Sequence, residues 1–359
     1  MSRSDKHVVE IDSIKTPIVR SPGFGKKGLS DYKLDLMGLC SFGCSYCSSN
    51  AGSYLRINRQ RFLENTHDQL GQDLLPAQDP GLMFVWPDVL ERLSEQLSGK
   101  SKDWGTDSTL MFSMLTDSFS PYLVKNGITQ KALEMLLERT RFRIRVLTKN
   151  STVGSKSWIT FFQRWPGRFT VGLSIGSLDD AWARRIERGT SLPSARLKAL
   201  HKLQEAGIPT YGMLCPIFPD LLEGDRLEAL IDGINPGSVE TVWAEPYNDR
   251  ANWKKVRAGY AKNSSGHALL SAIYEDGDRA AWSGYARELY QRLARHSRSH
   301  GWADKLLYLL YEKDIVEHDA KAMAPFKHIL FQGAKEDSGL SKNRYIQQFQ
   351  RPLIDVVTI

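Results

Sequence analysis

Between residues 32 and 244, short apolar runs alternate with amphipathic stretches, and this alternation constrains the fold more than any other feature. Six runs read as strands: residues 32–39, 109–116, 142–149, 169–175, 209–217 and 239–244. Phe169, Val171, Leu173 and Ile175 show the clearest period of two. Helical patterns lie between the runs. In 86–97, Val89, Leu90, Leu93 and Leu97 share one face, with Pro87 in the first turn. Residues 128–139 offer Ala132, Met135, Leu136 and Leu137 for packing, and 157–164 is a short helical piece. Residues 194–206 space Leu197, Leu200 and Leu203 and stop at Gly207, and 222–233 forms the last crossover. Strands joined by helical crossovers imply a parallel sheet, hence an α/β protein.

Three of the four cysteines sit in the loop leaving the first run, as Cys40-Ser-Phe-Gly-Cys44-Ser-Tyr-Cys47. Thiolates suit iron–sulfur clusters, zinc and Cu(I). A Cys-x3-Cys-x2-Cys loop can wrap one cubane, and a closed [4Fe–4S] site needs a fourth cysteine. None is near in sequence. A cluster on this triplet therefore keeps one iron open, which suits chemistry better than electron storage alone. A structural zinc site asks for four ligands, and the nearest histidine after the triplet is His67. From the residues alone, zinc and inert thiols stay open beside the cluster.

Composition narrows the setting. The 359 residues are 41% hydrophobic and 25% charged, enough for one large or two ordinary soluble domains with a substantial core. No apolar run approaches the ~20 residues of a membrane span, and the polar Met1–His7 start has no signal-like region behind it. Cysteine clustering without a disulfide framework fits the reducing cytoplasm. The net charge of +7, from 48 Lys+Arg against 41 Asp+Glu, is compatible with nucleic acid, a nucleotide or an acidic partner, and also with many soluble proteins. Residues 1–30 read as an N-terminal extension containing a turn-rich loop at 21–28. Its Gly25-Lys26 lacks the flanking spacing of a phosphate loop. Residues 31–247 form the core. In 248–359, helices are expected at 267–274, 282–300 and 302–313, with Pro325, Gly333 and Gly339 breaking up the remainder.

The triplet, with Tyr46 before its last cysteine, resembles the signature of the radical S-adenosylmethionine (SAM) superfamily. The resemblance implies one [4Fe–4S] cluster on Cys40, Cys44 and Cys47, with SAM on the open iron and reductive cleavage to a 5′-deoxyadenosyl radical. It also implies a partial (β/α)6 TIM-like barrel, here with a C-terminal mainly helical extension. In β/α barrels the active site gathers at the C-terminal strand ends. Those ends read Cys40, Thr116-Asp117, Thr148-Lys149, Ser174, Cys215-Pro216 and Glu245-Pro246-Tyr247.

A narrower series is similar to spore photoproduct lyase and its relatives: Leu115-Thr-Asp-Ser-Phe-Ser-Pro121, Leu147-Thr-Lys149, Leu173-Ser-Ile175, Arg196-Leu-Lys-Ala-Leu200 and Cys215-Pro-Ile-Phe-Pro219. It spans roughly residues 31–220. Carried over residue by residue, it has Lys149 pair with the SAM carboxylate as a compact ammonium. Ser174 would bond the ribose or carboxylate, Tyr46 would lie near the adenine, and Cys215 would place its backbone beside the cofactor. Asp117 would hold the methionine amino group or orient its loop; a plain helix cap is the bland alternative. Lys149 as a solvated loop charge is likewise the bland reading. The lyase's hydrogen-donating cysteine is replaced by Met114, whose thioether has no hydrogen to give. Cys215 then becomes the candidate donor, with Tyr211 and Tyr247 as others, against a small buried hydrophobe as the ordinary role of a free cysteine.

The substrate class implied is a nucleic acid or nucleotide, repaired or modified. Arg56, Arg59 and Arg61 near the triplet, Arg287, Arg292, Arg295 and Arg298, and the Trp253–Arg257 stretch fit phosphate contact and stacking. The C-terminal arginines also fit a solvated helix face. Radical modification of a peptide or protein is the second enzyme reading, and a metal-bearing nucleic-acid-binding protein without turnover the third. An enzyme of this kind needs a reductase, flavodoxin or ferredoxin as electron donor.

Overall fold

The computed structural model describes residues 7–25, 27–249, 252–311, 315–323 and 329–332. Lys26 and the breaks expected at Pro325, Gly333 and Gly339 lie outside the described residues. Two short strands come first, Val8–Glu10 (β1) and Ile18–Arg20 (β2). Tyr32–Leu34 (β3), Met37–Leu39 (β4), Met83–Val85 (β5) and Thr109–Phe112 (β6) follow. Then come Arg143–Thr148 (β7), Phe169–Ser174 (β8), Thr210–Ile217 (β9), Val242–Pro246 (β10), Leu306–Tyr311 (β11) and Ile329–Gln332 (β12).

The large sheet runs β12-β11-β10-β9-β8-β7-β6-β3-β2. Only β2 is antiparallel to its neighbour, β3. Phe112, Val146, Val171 and Thr210 lie side by side across four strands, which sets the register. The edge strands β2 and β12 do not pair with each other, so this is an open, partial (β/α) barrel. All six expected parallel strands are present. The first is split at Asp35: β3 stays in the large sheet, while β4 pairs with β5 in a small sheet ordered β1-β5-β4.

Crossover helices cover one face through the periodic residues. Val89, Leu93 and Leu97 are buried in Val89–Ser98, and Ala132, Leu133, Leu136 and Leu137 in Ile128–Arg139. The other face is filled by Leu29, Met111, Tyr211, Met213, Trp243 and Leu309. Strand β8, covered on both faces, is buried along its whole length.

Three segments depart from expectation. The N-terminal residues are built into the sheets through β1 and β2, and loop 27–29 closes the inner face. Trp243 Nε1 donates to the Lys27 carbonyl at 3.0 Å, and Arg145 to the Gly28 carbonyl at 3.0 Å. Residues 50–63, which carry Arg56, Arg59 and Arg61 and for which no helix is expected from sequence, lie mostly in the helix Ser53–Leu70. The stretch expected as a helix at 302–313 contains β11 instead. Its Leu-Leu-Tyr-Leu-Leu run has no periodicity to separate helix from strand, and the free edge of β10 decides for strand. The C-terminal part thus contributes helices at Trp253–Arg257, Ser265–Leu270, Arg279–Ser299 and Glu317–Met323, and two strands that extend the core sheet. Among the described residues no helix is long and apolar enough to cross a membrane.

Candidate active site

Strand parity assembles the site. Successive side chains alternate between faces, so Arg145, Leu147 and Lys149 share the inner face of the sheet with Gly172 and Ser174. The same parity adds Tyr211, Met213 and Cys215, and then Trp243 and Glu245. The last inner-facing residues of β7–β10 are polar or thiol-bearing, and they open on one cavity with Cys40, Cys44, Tyr46, Cys47, Met114 and Asp117. Tyr247 lines it as well. Tyr211 does not. It lies deeper in the inner face, its hydroxyl donates to the Val146 carbonyl at 2.9 Å, and its ring meets Trp243 edge-on at 5.4 Å. Its place near the start of β9, not the end, keeps it from the cavity.

The cysteine loop is held by backbone. Ser45 N–H donates to the Ile186 carbonyl at 2.8 Å and Gly189 N–H to the Phe42 carbonyl at 2.9 Å. Asn50 Nδ2 donates to the Cys44 carbonyl at 2.9 Å. Gly43 turns the loop at φ 57°, and a Cβ there would stand 2.7 Å from that of Pro80. A Cβ on Gly189 would stand 2.5 Å from the Ser41 carbonyl oxygen, so this loop seats tightly on the triplet.

Behind Tyr46 lies a buried polar chain that sequence reasoning missed. The Tyr46 hydroxyl donates to Glu187, which is ion-paired with Arg196. Arg196 also donates to the Ser174 carbonyl at 2.6 Å. Burial pushes the Glu187 carboxyl up, but Arg196, Lys149 and Tyr46 together outweigh it and hold the group below the usual carboxylate range. The signal was present in the helix Pro193–Glu205: Arg196, Ala199, Leu200 and Leu203 are its buried face, so an arginine occupies an apolar position. In front of Tyr46, the Lys149 ammonium stands 5.5 Å from the ring centroid.

Two aspartates order the strand ends. Asp117 accepts from Thr148 Oγ1 at 2.8 Å, from the Lys149 N–H at 2.8 Å and from the Phe119 N–H at 2.9 Å. It therefore ties the β6 loop to the end of β7, although burial pushes its carboxyl up. Asp35 was not singled out from sequence, though a charge between Leu34 and Leu36 marks it. One of its oxygens accepts the N–H groups of Met114, Leu115 and Thr116, each at 3.0 Å. Ser174 Oγ donates to the Cys215 carbonyl at 2.9 Å. Burial raises the Cys215 thiol well above its ordinary value, with Glu245 adding and Lys149 opposing, so the sulfur keeps its hydrogen.

The four cysteines are free thiols. Burial pushes Cys40 up to about 12, with Cys47 and Asp117 adding, and raises Cys44 well above its usual range. Among the described residues no three ligating side chains close on a single-ion point. A zinc ion would need four donors about 2.3 Å or less from one centre. A cubane places each cysteine on a different iron, which three thiols sharing one hollow can satisfy. The buried ammonium of Lys255 has no hydrogen-bond partner among the described residues, and negative charge on Cys47 and Cys44 favours its charged form, which fits an anionic group on the triplet.

The basic residues are distributed unevenly. Arg56 and Arg59 are exposed on the helix Ser53–Leu70 that follows the triplet, beside Ile57, which is 82% exposed. Arg61 donates to the Asp12 carbonyl at 2.5 Å. Arg287 and Arg292 are ion-paired with Asp319 and Glu228, so they serve the C-terminal packing.

No family model matches the chain. An uncharacterized protein, ORF301 of Acidianus two-tailed virus, is 24% identical over 259 residues, covering 68% of this chain and 79% of that one. Among solved structures, a spore photoproduct lyase is 17% identical with a TM-score of 0.43, covering 70% of this chain and 66% of that one. Another, with a dinucleoside spore photoproduct, is 16% identical at 0.44, with the same coverage. A chain named anSMEcpe, with bound AdoMet, is 12% identical at 0.43, covering 75% of this chain and 59% of that one. This chain therefore spans under two thirds of the length of these solved chains. At TM-scores below 0.5 the likenesses do not carry the fold, which stands on the strand order. In its cysteine loop and its partial (β/α) barrel, the chain resembles the radical SAM superfamily.

Proposed function

We propose that this protein is a radical SAM enzyme acting on a nucleic acid or nucleotide. The observation that carries the reading is the meeting of Cys40, Cys44 and Cys47 with Lys149, Ser174 and Cys215 in one cavity at the strand ends. Cys40, Cys44 and Cys47 would hold a [4Fe–4S] cluster, and with SAM bound that group would supply one-electron reductive cleavage of SAM to methionine and a 5′-deoxyadenosyl radical. Lys149 binds the SAM carboxylate, its backbone fixed by Asp117. Tyr46, held from behind by Glu187, offers its ring beside the adenine. Ser174 Oγ, whose hydrogen goes to the Cys215 carbonyl, keeps its lone pairs to accept from a ribose hydroxyl; bonding the SAM carboxylate would require that hydrogen to be redirected. Cys215, whose thiol retains its hydrogen, is the donor to a product radical, the role that Met114 cannot fill.

For the substrate, Arg56 and Arg59, exposed on the helix that follows the triplet, support the reading as phosphate contacts. The test is anaerobic. Reconstituted protein with dithionite and SAM is expected to yield 5′-deoxyadenosine by mass spectrometry. A fully assembled cluster that yields none, with or without nucleic acid, would sink the proposal. In Lys149→Ala, loss of a charge-assisted hydrogen bond of about 1.5–3 kcal/mol should weaken SAM binding roughly ten- to a hundredfold, read by equilibrium dialysis. Unchanged binding would remove Lys149 from the cofactor site.

A further inference from the structure

The segment after Tyr247 docks on the cysteine loop. Asn252 is buried; its Nδ2 donates to the Tyr46 carbonyl at 2.8 Å, and its Oδ1 accepts from the Tyr247 hydroxyl at 2.7 Å. The helix Trp253–Arg257 starts there, and Lys255 N–H donates back to the Asn252 carbonyl at 3.0 Å. The Lys255 ammonium is sealed from solvent, with no hydrogen-bond partner among the described residues. Its helix neighbours are engaged elsewhere: Lys254 lies over the Trp253 ring, and Arg257 pairs with Glu275. Withdrawing an ammonium from water without a counter-charge is costly. Burial and Arg188 push Lys255 toward its neutral form, and the groups favouring its charge are Cys47 and Cys44.

We propose that Lys255 is the counter-charge to the cluster on the cysteine loop and favours its reduced state. The inference rests on the reading that the triplet carries a cluster. Three thiolates around a doubly positive cubane leave one net negative charge, and one-electron reduction leaves two. A fixed ammonium nearby therefore stabilises the reduced form more than the oxidised form, the more so in a dry setting. The lysine acts through the ligand loop and is a positioning charge; it need not touch substrate or SAM.

The experiment is a dithionite redox titration of the anaerobically reconstituted full chain, followed by absorbance and electron paramagnetic resonance. Wild type, Lys255→Met and Lys255→Arg are compared. Lys255→Met should disfavour the reduced form about tenfold, a fall of about 59 mV in midpoint for one electron. Lys255→Arg should stay near wild type. If Lys255→Met folds by circular dichroism but loses its cluster while Lys255→Arg keeps it, the charge role is also supported. Equal midpoints in wild type and Lys255→Met overturn it, as does equal loss in Met and Arg variants. A wild type that assembles no cluster at all fails the functional reading itself, and the inference falls with it.

Discussion

Cys44→Ala is expected to abolish 5′-deoxyadenosine formation while leaving the chain folded. Cys44 is the middle thiol of the triplet and the most buried of the three, and it lines the same cavity as Lys149. The loop around it is held by backbone contacts that alanine retains: Ser45 to Ile186, Gly189 to Phe42, and Asn50 to the residue-44 carbonyl. Removing one buried sulfur should cost about 1 kcal/mol of stability, a small-residue truncation in a packed site. Circular dichroism and a urea midpoint near wild type, together with iron content well below that of the wild type and no product, are the expected results. Product at the wild-type level from Cys44→Ala would show that this cysteine does not hold the group that cleaves SAM. The colour of the wild type separates the zinc alternative: a brown protein bleached by dithionite excludes zinc as its metal.

Arg196→Met should destabilise the fold by about 3–5 kcal/mol, the range for removing one partner of a buried ion pair. The two side chains are 0% and 1% exposed, so water cannot replace the lost guanidinium. In the wild type, the Glu187 carboxyl is held below its ordinary value. Its contribution is therefore present above the unfolded carboxylate range and lost as pH falls through the depressed folded value. Without Arg196, burial dominates and the carboxyl moves above its ordinary value. The linkage then reverses, and the variant's penalty should shrink on acidification through the carboxylate range. Urea unfolding between about pH 4 and 8 measures this. A penalty that does not change with pH would mean that Glu187 is not the group left unpaired. Adding Glu187→Gln to Arg196→Met should recover part of the loss, since a neutral amide is cheaper to bury than a carboxylate. Cofactor affinity should fall too, because Glu187 fixes Tyr46 and Arg196 fixes the end of β8.

Local pattern made much of this protein readable. The six strands from 32 to 244 show as apolar runs, and the crossover helices as leucines at helical spacing, because each pattern is complete within a dozen residues. The cysteine loop is equally local. Strand parity then placed Lys149, Ser174 and Cys215 on one face of the sheet, since a period of two holds whatever the partner strand is.

Tertiary structure decided what depends on residues far apart in the chain. Tyr46 and Glu187 are separated by 141 positions, and Asp35 and Met114 by 79. No local pattern encodes such pairs. Asp35 ended β3 early, because its carboxylate serves three backbone donors of the β6 loop in place of a ladder position. Tyr211, a candidate by residue type, went to the packed inner face because strand ends, and not strand starts, open on the cavity. Residues 306–311 became a strand because β10 offered an unpaired edge, which an aperiodic apolar run cannot announce. The sequence by itself determined which chemistry the strand ends could host; burial and long-range pairing decided which charges face it, because only the folded chain removes water from Glu187, Arg196 and Lys255.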